Sequence, residues 1–518
     1  MKAIIILLFI FIHSLNIDAQ IVFEKVYSLN AVGSGMAVRQ TTDGGFIFCG
    51  IGYSLLGGND HEIFLVKTDS IGDTLWTRDF GTAFLYDRGH CVEQTIDGGY
   101  ILTGMTMDSN YMDVETFLIK TDAYGDTIWT KRYKAPNDMY GNSVVQTPDG
   151  GFVIAGRAHG IFALKTNSFG DLLWMKIFQG FFLDDCYCCV NTKDGGLMLT
   201  GCIYEVGSGD YLPFLLKLDS LGNKLWAKTY NGPKWQLSHY VQQTQDGGFI
   251  LTGSSRDSLS ASYQFLLKTD SIGNISWAKQ FDVSEPWKMG TAVQQTFDGG
   301  YIIATGSPIY HVGNGDGCLL KTDSVGQLLW SKTYDVTLGE YFSDVRQTSD
   351  SGFIIIGFTS YSIVTGMCLI KTDQFGNSVC KQSGDAIINS YNLSFTTSNL
   401  FTSASSYTPQ ELNSNFYVKS GSEFFDPCPF GYEEPFANNP LLIFPNPSSG
   451  TFSLLLFTNS IDAKLEIFNL MGTKIFEEKI IGSVKNEITL TGMSSAIYLL
   501  KVYDGHKYYH QKLMLECN

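Results

Sequence analysis

The residues able to do chemistry in this 518-residue chain are scattered rather than gathered. Of the eight histidines, His61, His90, His159, His239 and His311 stand singly, and none is spaced from an Asp, Cys or Ser as a hydrolase motif requires. No Gly-x-Ser-x-Gly, His-Glu-x-x-His or phosphate loop occurs, so no catalytic residue is assigned. Cys186, Cys188 and Cys189 cluster without a second Cys-x-x-Cys or a His pair, and no metal or other cofactor is expected. Eleven cysteines, an odd number over a long chain, are not a disulfide framework. Counting outward from the Asp194-Gly195 turn sets Cys186 or Cys188 near Cys202, which raises the expectation of a cross-strand disulfide there. The acidic pair Asp184-Asp185 reads as solvated loop charge. What remains is aromatic. Tyr86, Tyr140, Phe182, Trp235, Trp287 and Tyr341 fall at a similar place in successive segments. Rigid rings stack on sugar faces or anchor a protein partner, so Trp235, Trp287, Tyr86, Tyr140 and Tyr341 form the candidate ligand-binding set. The same rings could instead seal neighbouring segments, and both readings stand.

The elements that position these rings come from self-similarity. A string Gln-Thr-x-Asp-Gly-Gly-aromatic begins at residues 40, 94, 146, 243 and 295, with weaker copies at 191 and 347. Each copy is followed by Lys-Thr-Asp-x-x-Gly-x-x-x-Trp, whose Trp residues are Trp76, Trp129, Trp174, Trp226, Trp277 and Trp330, with Cys380 in the seventh place. Every repeat divides into four short strands. Asp43-Gly44 makes a hairpin turn between the first two, and Asp69 to Asp73 makes a second turn between the last two. Four strands per roughly 50 residues is a propeller blade. The fold class is therefore all-β, a seven-bladed β-propeller over residues 20–384. Residues 22–28 carry a fourth-strand pattern ahead of the first repeat and are expected to pair into the last blade, closing the ring.

In such blades the two Gly-rich turns share one face and the variable loops share the other. Uniform turns suit structure and variable loops suit recognition. The recurring Asp69, Asp122, Asp219, Asp270, Asp323 and Asp373 read as Asx-turn caps rather than calcium ligands, because only one carboxylate recurs. Cys318 and Cys368 replace phenylalanines of other repeats and read as core thiols.

The repeat resembles the Trp-containing propeller repeats of secreted bacterial and archaeal proteins, and more distantly the quinoprotein (PQQ) repeat, through Asp69-Ser70-Ile71-Gly72-Asp73-Thr74-Leu75-Trp76. The Asp-to-Gly spacing is one residue shorter than in quinoproteins. That likeness implies a fold and no activity.

Composition agrees with this organisation. The chain is 44% hydrophobic and 14% aromatic but only 17% charged, with 54 glycines, as many strands and turns require. A net charge of −16 makes nucleic acid a poor partner. Residues 1–19 read as a signal peptide: Met1-Lys2, an apolar run from Ala3 to Ile12, and a small-residue cleavage site ending at Ala19. No later run is long and apolar enough to span a membrane, so no integral span is expected in the mature chain. Residues 385–440 lose the repeat and read as a linker or extension.

Residues 441–518 read as a small Ig-like β-sandwich. Three motifs occur there in order: Phe444-Pro445-Asn446-Pro447-Ser448-Ser449-Gly450, then Ile467-Phe468-Asn469-Leu470-Met471-Gly472, then Ser494-Ser495-Ala496-Ile497-Tyr498-Leu499-Leu500-Lys501-Val502. They resemble the type A C-terminal sorting domain of the type IX secretion system of Bacteroidota. Pro445, Asn446, Pro447, Gly450, Asn469, Gly472, Tyr498 and Lys501 carry the likeness, while Ala496 stands where a Gly is usual. The resemblance implies the type IX machinery as partner and a secreted or outer-surface location. With the variable-loop face, it points to a binding or adhesion protein for a glycan or protein. An extracellular glycan-active enzyme with a site in the central funnel, or a structural coat component, are the alternatives.

Overall fold

The computed structural model describes the chain except residues 1–19, 28–30, 55–60, 82–85, 108–113, 136, 180–183, 233–234, 257–261, 284–288, 307–316, 335–339, 362–363, 379–381, 386–387, 395, 400–402, 407–409, 414–416, 420–440, 445–450, 457–462, 470–472, 482–484, 491–495, 504–507 and 516–518. The expected signal peptide, residues 1–19, and Trp287, Phe182, Pro445, Asn446, Pro447, Gly450 and Gly472 thus lie outside the described residues.

Every described element is a strand or a turn. Blade 1 runs outward from the axis through Ala31–Gln40, Phe46–Ser54, His61–Thr68 and Thr74–Gly81, each antiparallel to the next. Six further sheets repeat it, and the seventh takes its outer strand from the other end of the chain. Phe23–Tyr27 pairs with Val364–Thr372, Val26 opposite Cys368, so the ring closes as the sequence implies. The second and third strands of a blade are buried on both faces because a blade packs on either side, and in blade 2 they are buried almost end to end, threonines, Glu115 and Lys120 included. The fourth strand is buried at intervals only, as an outer strand should be. Cys318 and Cys368 lie in the apolar cores between blades.

The turns explain the Asp-Gly-Gly signature. Asp43 Oδ1 accepts from Thr41 Oγ1 (2.5 Å) and Gly45 N (3.0 Å). Lys67, from the third strand, donates to Asp43 and to the Thr68 carbonyl (2.8 Å). Gly44 is needed for its φ of +84°. Gly45 is needed for room: a Cβ there would sit 2.2 Å from the Thr68 oxygen and 2.6 Å from Lys67 Nζ. All seven blades repeat this lock, from Lys67–Asp43 to Lys371–Asp350, with each ammonium buried and each carboxylate more open.

Blades join through the same face. Trp76 lies against Gly125 of the next blade, and Phe23 takes that place against Gly72 where the ring closes. Gln94 Oε1 accepts from Thr42 N of the preceding blade (2.9 Å), and Gln40 accepts from Ser349 N across the closure (2.8 Å). One seam differs. Pro148 has no N–H to offer, and there Asn191 replaces the glutamine and donates to the Gln146 carbonyl instead (2.7 Å).

Residues 382–419 do something the composition does not announce. Six short strands run back around the rim and add a fifth, outermost strand to blades 6, 5, 4, 3, 2 and 1 in that order. They are Gln382–Asp385, Ile388–Asn392, Thr396–Asn399, Ser403–Ser406, Gln410–Asn413 and Tyr417–Lys419. Ser390, Thr397, Ala404, Glu411 and Val418 face the equivalent residues Phe281, Tyr230, Phe178, Tyr133 and Phe80, a step of seven residues per blade. Seven extended residues span at most about 25 Å, which bounds the step from one blade rim to the next.

The C-terminal residues form two sheets, one of three strands (Leu441–Phe444, Thr451–Leu456, Lys485–Thr489) and one of four (Lys474–Ile480, Ala463–Phe468, Ala496–Tyr503, Tyr508–Leu515). Phe452, Leu454, Leu465, Ile467, Leu500, Val502 and Leu513 fill the core, and Tyr498 is buried with them. Asn469 ties a turn by accepting from Thr473 N (2.9 Å) and donating its own N–H back to the Thr473 carbonyl (3.0 Å). Lys501 stands opposite Glu466.

Candidate functional site

Two places on the propeller gather polar or aromatic side chains from several blades: the central channel and the loop face.

Each inner strand carries one β-bulge, for example between Gly89 and Cys91 and between Ser238 and Tyr240. The residues so re-aimed are Met36, His90, Asn142, Tyr187, His239, Thr291 and Ser343. They reach around the axis from blade to blade. His90 Nδ1 lies 2.9 Å from the Gly141 carbonyl, Asn142 donates to Asp185 (3.1 Å) and to the Cys186 carbonyl (2.8 Å), and Thr291 donates to the Phe342 carbonyl (2.8 Å). The Tyr187 and His239 rings meet at 5.0 Å. Burial pulls His90 and His239 down to about 4, so both are neutral imidazoles at neutral pH, and His239 Nε2 has no partner among the described residues.

Nearer the turn face, an ion network crosses the channel. Arg39 bridges Glu93 and Asp344, both at 2.6 Å, and Arg346 binds Asp344 (3.0 Å) and the Tyr240 hydroxyl (2.5 Å). Tyr240 belongs to blade 5 and Arg346 to blade 7, so their contact bypasses blade 6 instead of closing a seam between neighbours. Burial works against the Arg39 charge, but Glu93 and Asp344 hold the guanidinium firmly protonated.

Asp184 and Asp185 are not solvated loop charges. Asp184 is fully buried and accepts from Tyr204 N (2.9 Å), and burial lifts the Asp185 carboxyl to about 6. The disulfide expectation also fails. Register sets Cys202 opposite Asp185, the bulge separates Cys186 from Cys188, and all three remain buried thiols.

The loop face holds the sequence candidates that are described, and they are dispersed. Tyr86 packs on His61 of blade 1 at 3.7 Å. Tyr140 carries the Arg157 guanidinium over its ring at 4.2 Å. Tyr341 turns against Gly306 of blade 6, which has no room for a Cβ there, and so lies in a seam. Trp235 is the one set among other rings: Tyr211 meets it edge-on at 5.5 Å, Tyr204 meets Tyr211 at 5.3 Å, and Arg256 covers it at 4.2 Å. Trp235 sits at φ +39°, a costly backbone conformation for a bulky residue, and its carbonyl accepts from Arg256 N (3.1 Å). This ledge joins the second hairpin of blade 4 to the entrance of blade 5. Sequence reasoning found Trp235 and missed its three partners. It also missed the bulged ring, whose signal is a column four residues before the repeat's glutamine (asparagine in blade 4) that is polar in every blade but the first, where it is Met36.

Residues 442–516 match the family model described as a secretion system C-terminal sorting domain. The protein is thus a β-propeller that ends in a type IX secretion sorting domain, and it is exported to the cell surface or the extracellular space. No curated protein matches the chain. Among solved structures it is similar to a protein of unknown function from Bacteroides caccae, with 13% identity, a TM-score of 0.37, and 59% of this chain and 95% of that one covered. It is also similar to YCF48 bound to D1 peptide, at 9% identity and a TM-score of 0.28 over 69% of this chain and 96% of that one. The extracellular domain of a hybrid two-component system from B. thetaiotaomicron gives 9% identity and a TM-score of 0.20, over 92% of this chain and 77% of that one.

Proposed function

We propose that this is a Bacteroidota surface or secreted adhesin, delivered by its signal peptide and sorting domain, whose propeller binds a glycan on the loop face. The observation that carries the reading is the Tyr204–Tyr211–Trp235–Arg256 ledge. Flat, rigid rings in partial contact with solvent offer stacking area for a sugar at little entropic cost, and an arginine beside them supplies donors to its hydroxyls. Tyr86 and Tyr140 would extend the contact along the loop face. The strained backbone at Trp235 supports a role beyond packing.

The test is a glycan and cell-surface binding screen with the mature chain beside Trp235→Ala and Tyr211→Ala. A hit weakened at least about tenfold by either substitution supports the reading. A folded wild-type chain that binds nothing on the screen overturns it. One observation favours a second reading, an enzyme working in the funnel: the neutral His90 and His239 on the bulged ring, with an elevated Asp185 close by. Turnover of a glycan that survives Trp235→Ala and disappears in His239→Gln would favour it.

A further inference from the structure

Among the described residues, twenty large apolar side chains are exposed, and fourteen of them lie at the turn end of the blades. Seven occupy one position, the residue before the glycine of the second turn: Ile71, Tyr124, Phe169, Leu221, Ile272, Val325 and Phe375, between 47% and 71% exposed. Five more, from Leu75 to Leu329, stand on the outer strands just beyond that turn at 56–57%, and Ile96 and Phe297 cap inner turns at 82% and 65%. The turn itself does not ask for an apolar residue. It closes through Asp69, whose Oδ1 accepts from Ile71 N (3.0 Å) and Asp73 N (2.8 Å), and the Ile71 side chain takes no part. The rim strands do not cover these residues either, since the blade 1 strand pairs only with Asp79, Phe80 and Gly81, at the far end of its outer strand.

We propose that this face is a self-association surface, on which a second copy of the propeller docks face to face through the apolar ring. Three observations favour a second copy. The ring repeats once per blade at a common radius, so the surface that matches it blade for blade is an identical ring turned about a two-fold axis. Fourteen side chains, most of them more than half exposed, supply more than the ~800 Å² per partner that a stable pair buries. Carboxylates of this face are already paired within the chain, Arg78 with Asp126 (2.9 Å), Lys131 with Asp171 (3.2 Å) and a lysine at each inner turn, so much of the charge two such faces would bring together is neutralised beforehand. This surface lies opposite the loop face, so the two proposals stand or fall separately.

The experiment is sedimentation of the mature full chain over a concentration series, beside the variant Tyr124→Ser/Phe169→Ser/Phe297→Ser/Phe375→Ser. These side chains are exposed, and a circular dichroism spectrum shows that the variant folds. A concentration-dependent dimer is expected, weakened at least about 100-fold in the variant and unchanged in Trp235→Ala. A monomer at all concentrations overturns the proposal. So does a dimer that the four substitutions leave intact, and so does ring-dependent binding to phosphatidylcholine vesicles by a chain that stays monomeric.

Discussion

The two faces of the propeller are built by opposite rules. On the turn face, the same few atoms recur in every blade: a buried ammonium, a carboxylate, a hydroxyl and two glycines, with Ser351 standing for the first glycine in blade 7. On the loop face, an aromatic recurs where several blades begin, but its partners differ from blade to blade: His61 for Tyr86, Arg157 for Tyr140, Tyr211 and Arg256 for Trp235, Gly306 for Tyr341. Repetition on one face leaves the other free to vary, because a blade whose register is locked at its turns tolerates any loop at its far end.

The comparison is broken hardest at the second glycine of a turn. A Cβ at Gly248 would lie 2.1 Å from the Thr269 oxygen and 2.5 Å from Lys268 Nζ, so Gly248→Ala is expected to cost more than ~3 kcal/mol in denaturant unfolding. Asp246→Ala comes next. It leaves the buried Lys268 ammonium without its carboxylate, a loss of about 2 kcal/mol once the solvent around that half-open pair is allowed for. The same locks set an acid limit. Burial works to raise the carboxyls of Asp149, Asp194 and Asp246, but the lysine and threonine hydrogen bonds outweigh it and carry them to about 2. Their contribution is full above the unfolded value near 3.9 and is lost as pH falls toward 2.

The channel and the loop face lose stability earlier. Burial holds His61, His90 and His239 at about 4, against roughly 6.5 in the unfolded chain. The unfolded chain therefore takes up protons first, and stability declines from pH 6.5 toward 4. Asp185, raised to about 6, works in the opposite sense, so Asp185→Asn should steepen that decline in a thermal melt. Ser351 replaces the first turn glycine of blade 7 at φ +69°, and Ser351→Gly should add about 1 kcal/mol. The smallest effect on stability is expected from Trp235→Ala, less than about 1 kcal/mol, although it removes the proposed binding.

Much of this was legible. Repeat spacing gave seven blades, and the misplaced fourth-strand pattern at residues 22–28 gave the closure. The recurring Asp69 was correctly read as a turn cap, as the bonds from Ile71 and Asp73 record. The recurring lysine was visible as a motif letter, but its bond to a turn 16 to 24 residues earlier was not, since spacing says nothing of how a long side chain folds back. The bulged ring was hidden for another reason: a bulge shifts the alternation by one residue, so His90 and His239 looked like isolated strand positions. The six rim strands were hidden most completely. Their pairing uses main-chain groups, and Ser390, Thr397, Ala404, Glu411 and Val418 share no chemistry that would mark the step of seven.

Those rim strands also decide how the molecule would answer a pull. Tension applied at the C-terminal side reaches Tyr417–Lys419 on blade 1 first, then Gln410–Asn413 on blade 2, and so on back toward blade 6. Each of these pairings is three to five residues long and is loaded only after the one before it has let go. The rim would therefore yield in a series of small steps, paying out chain blade by blade, while the closure made by Phe23–Tyr27 carries none of the load.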